Sequence, residues 1–309
     1  MSSFVSIGIP CFNAEQWIAG AIESALSQTW TDNEVIVVDD GSDDASCDRI
    51  MAFGDRVRLI RCDHRGGNQA RNEILKHARG DWIQFLDADD YLEPEKIARQ
   101  FSEGNGGHDA DVLYSPYWFE RSGPSPSRWQ SELHAGNDLF VQWLSWELPQ
   151  TGAALWRKSA LQQLGGWKAD QPCCQEHELY LRALKADLRL VYTPTAHAVY
   201  RLWSDETVCR KDPSRTIQVK TGLIDDARIW LKERGRWTPQ HQATAARACF
   251  EMARMLARDD LSRARTYYSE RRKAGLMQPA GPAAPFAYRL AYHVLGFEKA
   301  ERLAARRRN

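Results

Sequence analysis

The sequence has no long hydrophobic run, no paired-cysteine motif and no excess of charge of either sign. No stretch approaches the roughly 20 apolar residues that a membrane-spanning helix requires. The seven cysteines, at positions 11, 47, 62, 173, 174, 209 and 249, are odd in number and lack C-x-x-C spacing. That argues against a disulfide framework or a zinc site and for a reducing compartment. Lysine plus arginine equal aspartate plus glutamate at 41 each in 309 residues, so overall charge gives no reason to expect a nucleic-acid partner. The opening residues, Met1-Ser2-Ser3-Phe4-Val5-Ser6-Ile7, carry neither a basic region nor a long apolar one. No secretory leader is therefore expected, and the sequence is read as cytoplasmic. Two phosphate-cradling loops are missing too: no G-x-G-x-x-G follows the first apolar run, and there is no G-x-x-x-x-G-K-[ST]. His177-Glu178 does not begin a zinc-protease motif, because Leu181 stands where the second histidine is required. No internal repeat is found.

What is present describes a folded chain, with 43% hydrophobic residues and twelve tryptophans. Short apolar runs at 4–9, 34–38, 57–61 and 82–86 have strand character. They alternate with helical patterns at 14–28 (Asn13 as N-cap), 45–52 (Ser42 or Asp43 as cap) and 68–77. Such alternation predicts an α/β fold, a mostly parallel sheet with helices on both faces. Ligands of these sheets bind beyond the carboxyl ends of the strands. Three polar loops fall there, at 10–13, 39–42 and 87–90. The middle is less regular: strands at 112–119, 152–156, 188–192 and 198–202, a Ser/Pro-rich loop at 122–128, and helices at 159–164 and 175–185. From about residue 213 only helices follow, at 216–233, 239–258, 261–275 and, after a Pro/Gly linker at 278–285, 286–307.

Asp87-Ala88-Asp89-Asp90 puts three carboxylates into four residues, which repel one another unless a cation sits among them. Hard divalent cations take one or two carboxylates together with substrate phosphates. A solvated turn capping the helix that starts near Pro94 is the plainer alternative, though the apolar run just before the cluster favours a site. Asp39-Asp40-Gly41-Ser42 could accept from a base N–H or a ribose hydroxyl, or could be a turn. Acidic loops suit a metal-bridged diphosphate better than anion binding by backbone alone.

Four segments now occur in order: Ile9-Pro10-Cys11-Phe12-Asn13, Val35-Ile36-Val37-Val38-Asp39-Asp40-Gly41-Ser42, Gly66-x-x-x-Ala70-Arg71-Asn72 and Phe85-Leu86-Asp87-Ala88-Asp89-Asp90. Together they resemble glycosyltransferase family 2, the inverting transferases of the GT-A fold. The strong match covers roughly the first 100 residues and weakens towards residue 212. The resemblance implies a Rossmann-like GT-A catalytic domain over 1–212, with a nucleotide-sugar donor half at 1–110 and an acceptor half at 111–212. The helical extension at 213–309 lies outside the common family core.

Carried over position by position, the resemblance implies that Pro10, Phe12, Asn13 and Asp39 hold the nucleotide, with Asp40 nearby and Arg71 either near the nucleotide or ordering the site. Asp87 would contact the donor and Asp89 would be the principal ligand of Mn²⁺ or Mg²⁺, while Asp90 could instead cap the next helix. Gln175-Glu176 occupies the place of a family Glu-Asp pair, so Glu176 is the expected general base; Glu176 and Glu178 could also simply favour a helix N-terminus. Gly165-Gly166-Trp167 matches a G-G-[FW] turn on the acceptor side. Tyr200-Arg201-Leu202-Trp203 resembles Y-R-x-H with tryptophan replacing histidine. Arg201 would neutralise the leaving diphosphate or sit in a structural ion pair. No chemistry is assigned to Cys173-Cys174.

The activity implied is metal-dependent inverting transfer from a nucleotide sugar, a UDP-sugar in the first instance, to a hydroxyl of a saccharide or lipid-linked acceptor in surface polysaccharide biosynthesis. Two alternatives stay open. A nucleotidyltransferase would need a Gly-rich basic loop where Pro10–Asn13 stands, and a non-catalytic nucleotide-sugar-binding or assembly protein could keep the fold. The last helix carries apolar Phe286, Leu290, Tyr292, Val294, Leu295, Phe297 and Leu303, then basic Arg302, Arg306, Arg307 and Arg308. It is either docked with a solvated tail or a peripheral contact to an anionic membrane at the inner face of the cytoplasmic membrane.

Overall fold

The computed structural model describes residues 3–123, 125–135, 138–203 and 212–306. Cys209, Arg307 and Arg308 of the sequence expectations lie outside the described residues. The chain divides into two compact units, Met1–Asn137 with Glu147–Asp205, and Asp138–Trp146 with Glu206–Asn309.

In the first unit the elements run β1 (Val5–Cys11), α1 (Ile18–Leu26), β2 (Asn33–Asp39), α2 (Ser46–Met51), β3 (Arg58–Arg61), α3 (Gly67–His77) and β4 (Trp82–Phe85). Then follow β5 (Tyr91–Leu92), α4 (Lys96–Glu103), β6 (Val112–Tyr114), β7 (Trp118–Arg121) and β8 (Ser127–Gln130). After the excursion of α5 (Leu139–Leu144) into the second unit come β9 (Ala154–Arg157), α6 (Lys158–Gln163), α7 (Gln175–Lys185), β10 (Leu190–Tyr192) and β11 (Ala198–Arg201). Seven strands form the central sheet in the order β10-β6-β9-β4-β1-β2-β3, and only β9 runs against its neighbours. This is a mixed α/β, GT-A-like sheet, mostly parallel. A smaller sheet has the order β5-β11-β7-β8.

The period-2 pattern of β1 decides its faces. Val5, Ile7, Ile9 and Cys11 enter one core with Ile18, Ala21, Ile22 and Ala25 of α1 and Ile97 and Phe101 of α4. On the other face Gly8 allows α3 to pack directly on the strand, since a Cβ there would stand 2.2 Å from Ile74 Cγ2. This approach puts the start of α3 beside the carboxyl ends of β1, β2 and β4.

Several local expectations change. The single strand expected at 112–119 is two strands in different sheets, β6 and β7, because Pro116 lacks the N–H needed to continue a ladder. Part of the expected loop at 122–128 is β8, which pairs antiparallel with β7. Asn13 does not cap α1: it has φ 47, and α1 begins at Ile18 without a side-chain cap.

The second unit contains α5, α8 (Pro213–Glu233), α9 (Pro239–Asp259), α10 (Leu261–Lys273) and α11 (Phe286–Arg306). Its helix starts are written locally as Asp212-Pro213, Thr238-Pro239 and Asp260, each accepting a backbone N–H three residues on. Residues 138–146 join this unit although the sequence placed them in the acceptor half: Asp138 bonds His241 Nε2 at 3.0 Å, and Phe140 stacks on Trp230. The uninterrupted last helix is also corrected. Gly296 (φ 78) kinks α11, letting Phe297 stack on Tyr268 at 4.3 Å and buried Glu301 meet Arg254 at 2.6 Å. Among the described residues no helix is long and apolar enough to cross a membrane.

Candidate active site

The nucleotide side begins where β1 and β2 end. Pro10 is the last position but one of β1 and pairs with Val38, beyond the reach of β4, so its missing N–H breaks no bond to that neighbour. Asn13 links the two loops: its N–H donates to Ser42 Oγ at 3.0 Å, and its Oδ1 accepts from Asp43 N at 3.0 Å. Asp39 is buried; Oδ2 accepts from Ser42 N at 3.3 Å, while the buried Oδ1 has no hydrogen-bond partner among the described residues. Such an acceptor is costly unless a ligand supplies a donor. Phe12 is 45% exposed and stacks on His64, with ring centroids 4.0 Å apart.

Asp40 is buried; its two oxygens accept from Arg65 N at 2.9 Å and Gly66 N at 2.8 Å, and His64 Nδ1 lies 3.0 Å from Oδ2. These bonds shape the turn into α3.

The acidic loop follows β4. Asp87 accepts from Arg71 Nη2 at 2.6 Å and Gln150 Nε2 at 3.2 Å. Asp90 is buried and accepts from Arg201 N at 2.8 Å and Gln150 Nε2 at 2.9 Å. It is not a helix cap, since β5 follows it and Glu95 precedes α4. Burial first, then the charges of Asp89 and Asp87, push the Asp90 carboxyl well above the usual carboxylate range. Burial and the Asp87 charge push Asp89 up as well.

Among the described residues, no other residue donates a hydrogen bond to the Asp89 carboxylate, and no group of three or more His, Cys, Asp or Glu side chains could hold a metal ion. One available carboxylate beside others already committed fits a hard cation that draws its remaining ligands from diphosphate and water.

Helix α3 joins the two sides of the site. Arg71, buried, holds Asp87, reaches Gln175 Oε1 at 3.4 Å and lies over the Trp167 ring at 4.8 Å. Asn72 clamps the same tryptophan by exchanging hydrogen bonds with its backbone, both 2.8 Å. Gly166 (φ 75) is required there, because a Cβ would stand 2.5 Å from Asn72 Oδ1. The Gly165-Gly166-Trp167 turn therefore positions Arg71.

Glu176 sits in the first turn of α7, which Cys174 enters in the left-handed conformation (φ 55). Thr151 Oγ1 donates to Glu176 Oε1 at 2.8 Å. Arg71, which bonds Asp87 and Gln175, thus ties the acidic loop to the residue next to Glu176. Burial, then Glu176 and Asp90, push the Tyr117 phenol up to about 12. Glu178 forms a two-pronged pair with Arg182, at 2.8 and 2.7 Å, and belongs to the helix.

Arg201 Nε donates to the Asp89 carbonyl at 2.6 Å and its Nη2 to the Asp90 carbonyl at 3.4 Å, amid the rings of Trp17, Tyr91 and Trp203. Of the two expectations for this residue, the structural ion pair is replaced among the described residues by these carbonyl bonds. Trp203 Nε1 also donates to the Asp89 carbonyl, at 3.0 Å, so it shapes the loop and offers no metal ligand. Sequence inspection missed Gln150, Thr151 and His64. For Gln150 and Thr151 the local signal is a polar Pro149-Gln150-Thr151-Gly152 string ahead of a buried strand.

Comparison with known proteins follows this geometry. A family model described as Glycosyl transferase family 2 matches residues 6–165. The glycosyltransferase GlyG of Streptococcus pneumoniae is 34% identical over 122 residues, 38% of this chain and 40% of that protein. The Escherichia coli UDP-Glc:alpha-D-GlcNAc-diphosphoundecaprenol beta-1,3-glucosyltransferase WfgD is 40% identical over 100 residues, 32% of this chain and 40% of that one. The succinoglycan biosynthesis protein ExoO of Rhizobium meliloti is 42% identical over 103 residues, 33% of this chain and 30% of that one. The chain thus spans 40% or less of the length of these relatives. Among solved structures, S. aureus TarS 1-349 in complex with UDP-GlcNAc aligns at a TM-score of 0.61 and 17% identity, covering 97% of this chain and 90% of that one. The mannosyltransferase PcManGT of Pyrobaculum calidifontis, in complex with GDP-Man and Mn2+, aligns at 0.61 and 16% identity over 100% and 87%. With the family model covering more than half of its residues, this chain belongs to glycosyltransferase family 2.

Proposed function

We propose that this chain transfers a sugar, with inversion, from a nucleoside diphosphate sugar to a hydroxyl of a saccharide or lipid-linked acceptor. The observation that carries this is the link between the acidic loop and a second carboxylate, Glu176, made by the successive side chains of Gln150 and Thr151, with Arg71 bonding both Asp87 and Gln175. Single displacement needs those two parts: stabilisation of a leaving diphosphate and a base for the incoming hydroxyl.

Asp39 Oδ1 would accept from the base and Phe12 would cover it, with Pro10 and Asn13 holding the loop. One orphan oxygen matches the single imide N–H of uracil, whereas guanine presents an adjacent pair of donors; this supports a UDP-sugar donor. Arg71 holds Asp87 in position for the donor sugar. Glu176 accepts the acceptor proton from hydrogen-bonding distance as the new bond forms. A divalent cation at Asp89, Mn²⁺ or Mg²⁺, would supply Lewis-acid stabilisation of charge on the departing diphosphate. Arg201 and Trp203 keep the Asp89 backbone fixed from behind.

The acceptor side of this proposal takes support from the relative whose name specifies a diphosphoundecaprenol-linked substrate. Surface polysaccharide biosynthesis is the matching context, supported by the relative named for succinoglycan biosynthesis. Phe286, Leu290 and Val294 recur every fourth residue on α11 and are 75%, 59% and 73% exposed. They form an apolar strip on the part of α11 before the Gly296 kink, and with basic Arg302 and Arg306 after it the segment suits peripheral attachment at an anionic cytoplasmic membrane face.

The test is transfer and hydrolysis from a panel of nucleotide sugars with Glu176→Gln beside wild type. Glu176→Gln should lower transfer by about 100-fold or more while keeping nucleotide affinity, and chelation should remove metal-stimulated turnover. Wild-type rates in Glu176→Gln would refute the base, and unchanged activity after chelation would refute the metal.

A further inference from the structure

Between the acidic loop and Glu176 runs a short turn built almost wholly from polar contacts. Gln150 Oε1 accepts from Gly152 N at 2.8 Å, which aims its amide so that Nε2 donates to Asp87 Oδ2 at 3.2 Å and Asp90 Oδ2 at 2.9 Å. The next residue, Thr151, is buried and donates to Glu176 Oε1 at 2.8 Å. Two successive side chains therefore contact the donor carboxylates and the expected base.

The turn is tied down from beneath. Gln84 Nε2 donates to Gly152 O at 2.9 Å, Gln100 Nε2 donates to Ala153 O at 2.9 Å, and Lys96 Nζ bonds Gln84 Oε1. Gln84, Lys96 and Gln100 are each at most 1% exposed. Burying such groups costs free energy unless they are bonded, and here two of the three spend their bonds on the turn's own carbonyls.

We propose that Gln150 and Thr151 are positioning residues that hold the donor carboxylates and the Glu176 base in one fixed arrangement, Gln150 by bridging Asp87 and Asp90 and Thr151 by orienting Glu176. The proposal rests on the glycosyl-transfer function above, which gives Glu176 its task. Gln175, the residue before Glu176, is itself held by Arg71 Nη1 at 3.4 Å, and that contact is left in place in a Thr151 variant.

The experiment compares Thr151→Val, Thr151→Ser and Gln150→Leu in the full chain. Carbon-13 NMR of labelled glutamate, with the Glu176 carboxyl signal assigned through Glu176→Gln, reads the Thr151 contact without any turnover. Thr151→Val removes the hydrogen bond to Glu176 Oε1, so this signal should move, and Thr151→Ser should restore it. In transfer assays Thr151→Val should lower kcat about tenfold to 100-fold with donor KM little changed. Gln150→Leu should weaken nucleotide-sugar binding about tenfold and leave the Glu176 signal in place. Gln150→Asn, too short to span both carboxylates, supplies this arm if the leucine variant does not fold. An unchanged Glu176 signal in Thr151→Val, or equal losses in the valine and serine variants, overturns the role of Thr151. Undiminished donor binding in a folded Gln150 variant overturns that of Gln150. A wild-type protein that transfers no sugar refutes the proposed function instead, while the Glu176 signal still decides the Thr151 contact.

Discussion

Replacing Arg71 by alanine tests how the acidic loop is held together. The Arg71–Asp87 contact is 2.6 Å, with side-chain exposures of 8% and 22%. Breaking a fully buried pair by removing one partner costs about 3–5 kcal/mol. Asp87 keeps its bond from Gln150 and some solvent, so the low end, about 3 kcal/mol, is expected for Arg71→Ala. In a unit of this size each kcal/mol moves the midpoint by about 2–4 °C, which gives a fall of about 6–12 °C. The loss should be specific to the charge on Asp87. In an Asp87→Asn background the same substitution should cost less by about 2 kcal/mol, measured as a coupling energy from urea denaturation of all four proteins. Arg71→Lys should recover the charge but not the ring contact with Trp167 or the bond to Gln175, leaving a deficit of about 1 kcal/mol. Equal costs of Arg71→Ala in both backgrounds, within about 0.5 kcal/mol, would show that Arg71 acts by packing and refute the electrostatic argument.

Lys96 predicts a pH dependence. Burial holds its amine well below the usual 10.5, so between that lowered value and 10.5 the unfolded chain binds more protons than the fold does. Wild-type stability should climb with pH through that window relative to Lys96→Met; parallel stability curves for the two proteins would exclude it. For α11, serine at Phe286, Leu290 and Val294 should abolish cosedimentation with phosphatidylglycerol vesicles while leaving the thermal midpoint within a few degrees. Equal sedimentation of variant and wild type would rule out membrane contact through that strip.

The strands of the nucleotide side were legible because their information is local. The alternating pattern of β1, the β-branched run of β2 and the acidic turn after β4 each lie within a few consecutive residues. The caps Asp212, Thr238 and Asp260 are local too, three residues from the N–H each binds, although the sequence reading names none of them and starts the first of these helices at 216. Gly296 was visible in the sequence, yet whether it would bend α11 depended on what Phe297 and Glu301 could reach, Tyr268 and Arg254.

Asp39 and Asp40 show where local information stops. They are neighbours of one residue type, and only the turn at Arg65–Gly66 decides that Asp40 is consumed by backbone amides while Asp39 keeps an unpartnered oxygen. Arg201 is settled in the same way by carbonyls more than a hundred residues earlier, and Gln150 by carboxylates 63 and 60 residues away. The sequence by itself determined the strand and helix periodicities, the order of the acidic loops and thereby the family. Tertiary structure alone decided which polar groups are spent on one another and which are left for a ligand. A hydrogen bond depends on distance and direction, and the fold sets both between residues far apart in the chain.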